Sequence, residues 1–198
     1  MQDTTNDLRN IIDNISTNLR NNGVAAAIHY RLKDPYSALK KMLRKNISVK
    51  ELTDLIAFRI IVNKQYDCYK VLVILYNIYP VNIAKTKNYI DNPKNNGYSS
   101  LHIVIIDYIY DCNIEIQIRT RKMHDIAESG TANHEEYKKT QEEKLKKLFS
   151  EEKLNTVAIN TEINNAHDIF NQFNWTILDL VAYEQAIENL WHKFQKNF

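Results

Sequence analysis

Apolar and polar positions alternate most cleanly at Ile114-Glu115-Ile116-Gln117-Ile118-Arg119-Thr120. A period of two puts Ile114, Ile116 and Ile118 on one face of a strand and Glu115, Gln117 and Arg119 on the other. Just upstream, Leu101 to Tyr110 is also strand-like, and the polar stretch Asp111-Cys112-Asn113 predicts a tight turn, hence an antiparallel hairpin. The run from Leu55 to Val62 is continuously apolar except for Arg59, which predicts a buried strand beginning near Asp54. Elsewhere the spacing becomes helical. Leu8, Ile11, Ile12, Ile15 and Leu19 predict a helix over 5–20, with Thr4 and Asp7 as cap candidates and Asn21-Asn22-Gly23 as its stop. Pro35 suits the first turn of a second helix ending near Lys45. Residues 66–79 favour a third, through Val71, Leu72, Leu75 and Ile78.

Between these elements, 82–99 predicts a polar loop and the Asn-flavoured stretch 153–174 a linker. Residues 121–153 predict a highly charged helix. A last amphipathic helix over 175–194 carries Ile177, Leu180, Val181, Ile187, Leu190, Trp191 and Phe194. Strands mixed with helices, one hairpin and no regular β-α alternation give an α+β, mixed-sheet α/β class.

Composition narrows the function more than the fold. With 198 residues the chain is long enough for one core and a short appendage. A net charge of +2 is too small for bulk nucleic-acid or membrane-surface binding, so any basic character that matters is local. Two cysteines make no disulfide framework, and no run reaches membrane-spanning length, so a cytoplasmic location is expected. Glycine is scarce: Gly23, Gly97 and Gly130 stand far apart. A phosphate cradle of backbone amides needs clustered glycines, so here lysine and arginine side chains must hold any phosphate.

Candidate residues of that kind lie close to two acids. Asp54 and Glu115 come from different strands, and a pair of carboxylates suits Mg²⁺, a hard cation that completes its shell with substrate phosphates. Arg31, Lys33, Ser37 and Lys41 cluster around the start of the second helix. The polar loop holds Lys87, Lys94 and Asn96, with Tyr98 just past Gly97 and His102 at the next strand. An aromatic ring in that place can present a face to a purine base.

The strings YRLKDPYSALKKM, ELTDLIAFRIIV, YIDNPKNNGYSSLH, IEIQIRTRKMHDIAE and TANHEEYK resemble, in order and spacing, the synthetase domain of RelA/SpoT-family proteins. The match runs from about Leu8 to Lys139, and the RTRKMHDIAE tail is similar to the long, multidomain members. The resemblance implies a nucleotidyltransferase-like fold, with 1–140 as the synthetase domain and 141–198 as a helical extension. It implies transfer of the β,γ-pyrophosphate of ATP to the 3′-hydroxyl of GDP or GTP. By matched position it implies that Arg31, Lys33, Ser37, Lys41 and Arg59 would hold ATP, that Asp54 and Glu115 would bind Mg²⁺ and that Glu115 would activate the acceptor hydroxyl. On the same resemblance Tyr98 would stack on guanine among Lys87, Lys94, Asn96 and His102, with Gln117 and Arg119 lining the same face. A free-standing synthetase is expected, and its C-terminal helices are candidates for pairing with a second copy. Two alternatives differ in substrate or activity. One is a toxin-like relative that pyrophosphorylates the 3′ end of tRNA and uses the charged stretch Lys138 to Lys153. The other is a catalytically silent nucleotide-binding remnant.

Overall fold

Five strands hydrogen-bond into one sheet, seen in a computed structural model that describes residues 8–107, 112–129 and 156–195. The strands are β1 (Ala26–Leu32), β2 (Ile56–Val62), β3 (Lys87–Asn88), β4 (Leu101–Asp107) and β5 (Cys112–Thr120), in the order β1-β2-β5-β4-β3. β2 and β5 run parallel, and every other pair is antiparallel. The helices are α1 (Arg9–Asn21), α2 (Pro35–Lys45), α3 (Gln65–Ile78), α4 (Arg121–Ser129), α5 (Thr156–Asn171) and α6 (Ile177–Gln195). The mixed-sheet α/β class is as expected.

The sheet's two faces follow from sequence parity. Ile114, Ile116 and Ile118 are fully buried, and Phe58, Ile60, Leu101, Ile103 and Ile105 share that face. Against β2, β4 and β5 lies α3, contributing Cys68, Val71, Ile74 and Leu75. A buried isoleucine contributes about 1.5–3 kcal/mol relative to exposure, so this central layer fixes the register. α4 follows β5 without a break and packs on β5 and β2. The stop at Gly23 is real: its φ of +69° is a left-handed conformation that glycine adopts without strain.

Two elements differ from the sequence reading. Ala26–Leu32 is a strand where no element was expected. It is an edge strand with one neighbour and half-exposed residues, so no clean apolar alternation marks it; pairing to β2 supplies its hydrogen bonds. Residues 156–171, expected to be linker, form α5. Asn164 and Asn165 are exposed, while Ile163 and Ala166 are buried on one stripe. Within α6 the buried set is Leu180, Tyr183, Ala186, Ile187, Leu190, Trp191 and Phe194, and Val181 is exposed.

Among the described residues the chain forms two compact units. One comprises 8–32 and 53–129, the sheet with α1, α3 and α4; the other comprises 33–52 and 156–195, in which α2 packs with α5 and α6. The cap candidates Thr4 and Asp7, the Ala132 to Lys138 motif and the stretch Lys138 to Lys153 lie outside the described residues, as does Asp111 of the expected turn, whereas Cys112 and Asn113 pair with β4 as the start of β5 rather than turning.

Candidate active site

The register brings one polar row across all five strands. Lys87 pairs with His102, His102 with Gln117, Gln117 with Arg59, and Arg59 with His29. Lateral partners share a face, so five strands present five polar side chains side by side. One row along, Glu115 stands next to Ala57, and Ala57 next to Arg31. Asp54 lies in the turn two residues ahead of β2 rather than inside the strand.

Glu115 is the electrostatic centre of this face. Burial pushes its carboxyl up, but a hydrogen bond from His102, the charge of that ring and a hydrogen bond from Gln117 outweigh it. The net position is below the ordinary carboxylate value, so the group is ionised. Gln117 Nε2 donates to Glu115 Oε1 at 2.8 Å, and His102 Nδ1 lies 3.4 Å from the same oxygen. Asp54 is close enough that its negative charge works against ionisation of Glu115. Two carboxylates in one neighbourhood, one ionised despite burial, are a donor set that fits a hard divalent cation.

From His102 the contacts run outward. Its Nε2 is 2.7 Å from the Tyr98 hydroxyl, and burial raises the Tyr98 phenol above its ordinary value, with Arg119, Glu115 and Arg59 all near enough to act on it. His102 thus bridges the Glu115 carboxylate on its Nδ1 side and the Tyr98 hydroxyl on its Nε2 side. Tyr89, Tyr98 and His102 meet edge to face at 5.3–6.1 Å, and Lys94 Nζ sits over both tyrosine rings, at 4.6 Å and 5.0 Å. The loop carrying them is internally tied. Asn88 Oδ1 accepts from the backbone of Ile90 and Asp91, Tyr69 donates to Asp91 at 2.6 Å, and Asn96 Oδ1 accepts from Tyr98 N. Gly97, at φ +78°, closes a turn back to the Lys94 carbonyl, where a side chain would be strained.

Arg59 and Arg119 converge on α4. Arg59 reaches Glu128 Oε1 at 3.0 Å and Arg119 reaches the same oxygen at 3.1 Å; Arg119 also meets His124 Nδ1 at 2.9 Å. The Arg119 side chain is only 1% exposed, against 24% for Arg59. Desolvation, and then the charges of Arg119 and Arg59, hold the His124 imidazole below its ordinary value.

Among the sequence-derived residues, the sheet unit therefore gathers Asp54, Glu115, Gln117, His102, Tyr98, Lys94, Arg59 and Arg119, with Asn96 in the adjoining turn. Lys87 stands at the sheet edge and Arg31, exposed, on β1. Lys33, Ser37 and Lys41 belong to the second unit. There Asp34 caps α2 by accepting from Ser37 N at 2.9 Å, and Tyr183 on α6 donates to the Lys33 carbonyl at 2.7 Å. Sequence reasoning missed Glu128, His124 and Tyr89. Two arginines of one sheet face, followed at once by a helix bearing acids, was the available signal for Glu128.

Residues 30–142 match the sequence profile described as a region found in RelA / SpoT proteins. Over 134 residues the chain is 38% identical to the GTP pyrophosphokinase rsh of Brucella ovis, covering 66% of this chain and 18% of that protein. Over 131 residues it is 37% identical to the GTP pyrophosphokinase of Escherichia coli K12, covering 66% and 18%. The chain thus spans less than a fifth of the length of these relatives. Its fold is that of the small alarmone synthetase 2 from Bacillus subtilis, with a TM-score of 0.56, 29% identity, and coverage of 69% of this chain and 77% of that one. This is a nucleotidyltransferase-like mixed α/β fold.

Proposed function

The chain belongs to the RelA/SpoT family, and from that membership we propose that it is a cytoplasmic (p)ppGpp synthetase, moving the β,γ-pyrophosphate of ATP to the 3′-hydroxyl of GDP or GTP. The observation that carries this reading is Glu115 on the sheet face, ionised although largely buried, within electrostatic reach of Asp54 in the turn before β2 and linked through His102 to Tyr98.

In the reaction the acceptor 3′-oxygen attacks the β-phosphorus of ATP, the bond from that phosphorus to the oxygen bridging to the α-phosphate breaks, and AMP leaves. Such transfers rely on in-line positioning and charge neutralisation rather than on a covalent protein intermediate. Glu115 accepts the hydroxyl proton and orients the attacking oxygen. Asp54 and Glu115 are the residues that would hold Mg²⁺, which when bound neutralises phosphate charge. Arg31, Lys33, Ser37, Lys41 and Arg59 carry the ATP assignment by their matched positions in the family motifs. Tyr98 offers its ring to guanine, with His102, Lys87, Lys94, Asn96 and Gln117 around the acceptor nucleotide. Arg119, buried under Glu128, contributes charge to that face from below. The catalytic region is assigned to 1–140 and the helical extension to 141–198.

The test is direct. Purified protein is incubated with Mg²⁺, ATP labelled in its β,γ-phosphates and, separately, GDP, GTP or deacylated tRNA. Label on a guanine nucleotide is the expected result. Label on tRNA alone, or on no acceptor, would overturn the reading.

A further inference from the structure

Arg119 is an arginine with almost no access to solvent, 1% exposed, on the strand that carries Glu115. A buried guanidinium must be paired, because its desolvation is otherwise uncompensated. Its NH2 group meets two acceptors, Glu128 Oε1 at 3.1 Å and His124 Nδ1 at 2.9 Å. A guanidinium only donates, so His124 accepts at Nδ1 and its ring proton resides on Nε2. Both acceptors come from α4, the helix that directly follows β5.

The same Glu128 oxygen that anchors on Arg119 also takes the Arg59 NH1 group at 3.0 Å. Arg59 is the more exposed of the two cations and stands on β2 next to Gln117, in the polar row. Two guanidiniums, one carboxylate and a neutral imidazole leave positive charge in excess, which is what an anionic phosphate group needs. Without the shared carboxylate, Arg59 and Arg119 would repel each other, and the flexible Arg59 side chain would turn outward.

We infer that Glu128 is a positioning residue: braced by the buried Arg119, it presets the Arg59 guanidinium for the polyphosphate of the donor nucleotide. This rests on the proposed function only for the identity of that ligand. Glu128 itself touches no reacting atom. Its contribution is that Arg59 is ordered before the nucleotide arrives, so less ordering remains to be done on binding.

The test has an arm that needs no nucleotide. In the wild-type protein the side-chain ¹⁵N–H signals of Arg59, assigned with Arg59→Lys, should show slowed rotation of the guanidinium. In Glu128→Gln, which keeps a neutral acceptor facing Arg119, that restriction should be lost. Unchanged Arg59 signals would overturn the inference whether or not the chain binds ATP. In the second arm a non-hydrolysable ATP analogue is titrated into the wild type, Glu128→Gln, Arg59→Ala and the double variant. Glu128→Gln should weaken binding about tenfold, yet cost nothing further once Arg59 is alanine, as expected of residues in one network. Equal losses in both backgrounds would overturn the inference. Glu128→Asp, which retains the charge, should bind closer to wild type than Glu128→Gln; the reverse order would count against a role through charge.

Discussion

Glu115 and Lys33 are held in place by different means. Glu115 sits on a strand paired on both sides, to β2 and to β4, with three buried isoleucines on its opposite face. Lys33 sits where β1 gives way to α2, and the ties around it include the α2 cap, in which Asp34 accepts from Ser37 N, and a distant hydroxyl, Tyr183, donating to the Lys33 carbonyl. On the sheet, scaffold and chemistry use opposite faces of the same residues' backbone, so the chemistry can change while the scaffold stays. At the head of α2 the groups that shape the backbone are immediate neighbours of the proposed phosphate ligands, so a structural change there is also a functional one.

Substitutions can break or sharpen that contrast. The largest effect is expected from Glu115→Gln, which should lower transfer by about 10²–10⁴-fold, the range for a lost general base, with the far-UV circular dichroism spectrum unchanged. Substantial remaining turnover would mean the sheet face is not where the hydroxyl is activated. Next, Tyr98→Ala should weaken acceptor binding by about 1–3 kcal/mol, the cost of a lost base stack, as read by calorimetry with GDP, and leave ATP affinity near wild type. On the other side of the comparison, Asp34→Ala should cost about 1 kcal/mol of stability through the lost cap, measured by urea unfolding, and also raise the KM for ATP. A KM that stays put while the urea midpoint falls would separate the head of α2 from the nucleotide.

The smallest effect concerns pH. The His124 imidazole is depressed in the folded chain by burial and by Arg119 and Arg59, so the unfolded chain binds its proton first as pH falls. Its stabilising contribution is therefore complete above the ordinary imidazole value, about 6.5, and is lost as pH drops through the lower folded one. Urea midpoints between about pH 7 and pH 5 should fall less steeply in His124→Gln than in the wild type. Parallel slopes would assign that proton uptake to another group.

What was legible in the chain depended on how regular the pattern was. β5 declares itself by strict alternation, and α2 by Pro35 at its start and basic residues at its end; Asn46 supplies the left-handed cap at φ +50°. β1 was not legible because an edge strand buries little and need not alternate. α5 was hidden because asparagine lowers helix propensity, yet Ile163 and Ala166 buried on one stripe outweigh it. At the site, residue types and spacing pointed to Glu115, Asp54 and Tyr98, but parity alone could not distinguish a polar side chain that meets solvent from one roofed by a helix. Arg119 alternates like Gln117 and is nonetheless covered, because α4 folds back over that end of the strand.

The Tyr183 to Lys33 hydrogen bond joins positions 150 residues apart. Closing so long a stretch carries an entropic cost that rises with the logarithm of its length, and contacts of that span form late. The strands bearing Arg59, His102 and Glu115 can find one another within a much shorter length of chain. During folding, the sheet that carries Arg59, His102 and Glu115 should therefore be assembled while the backbone of Lys33 still awaits its partner.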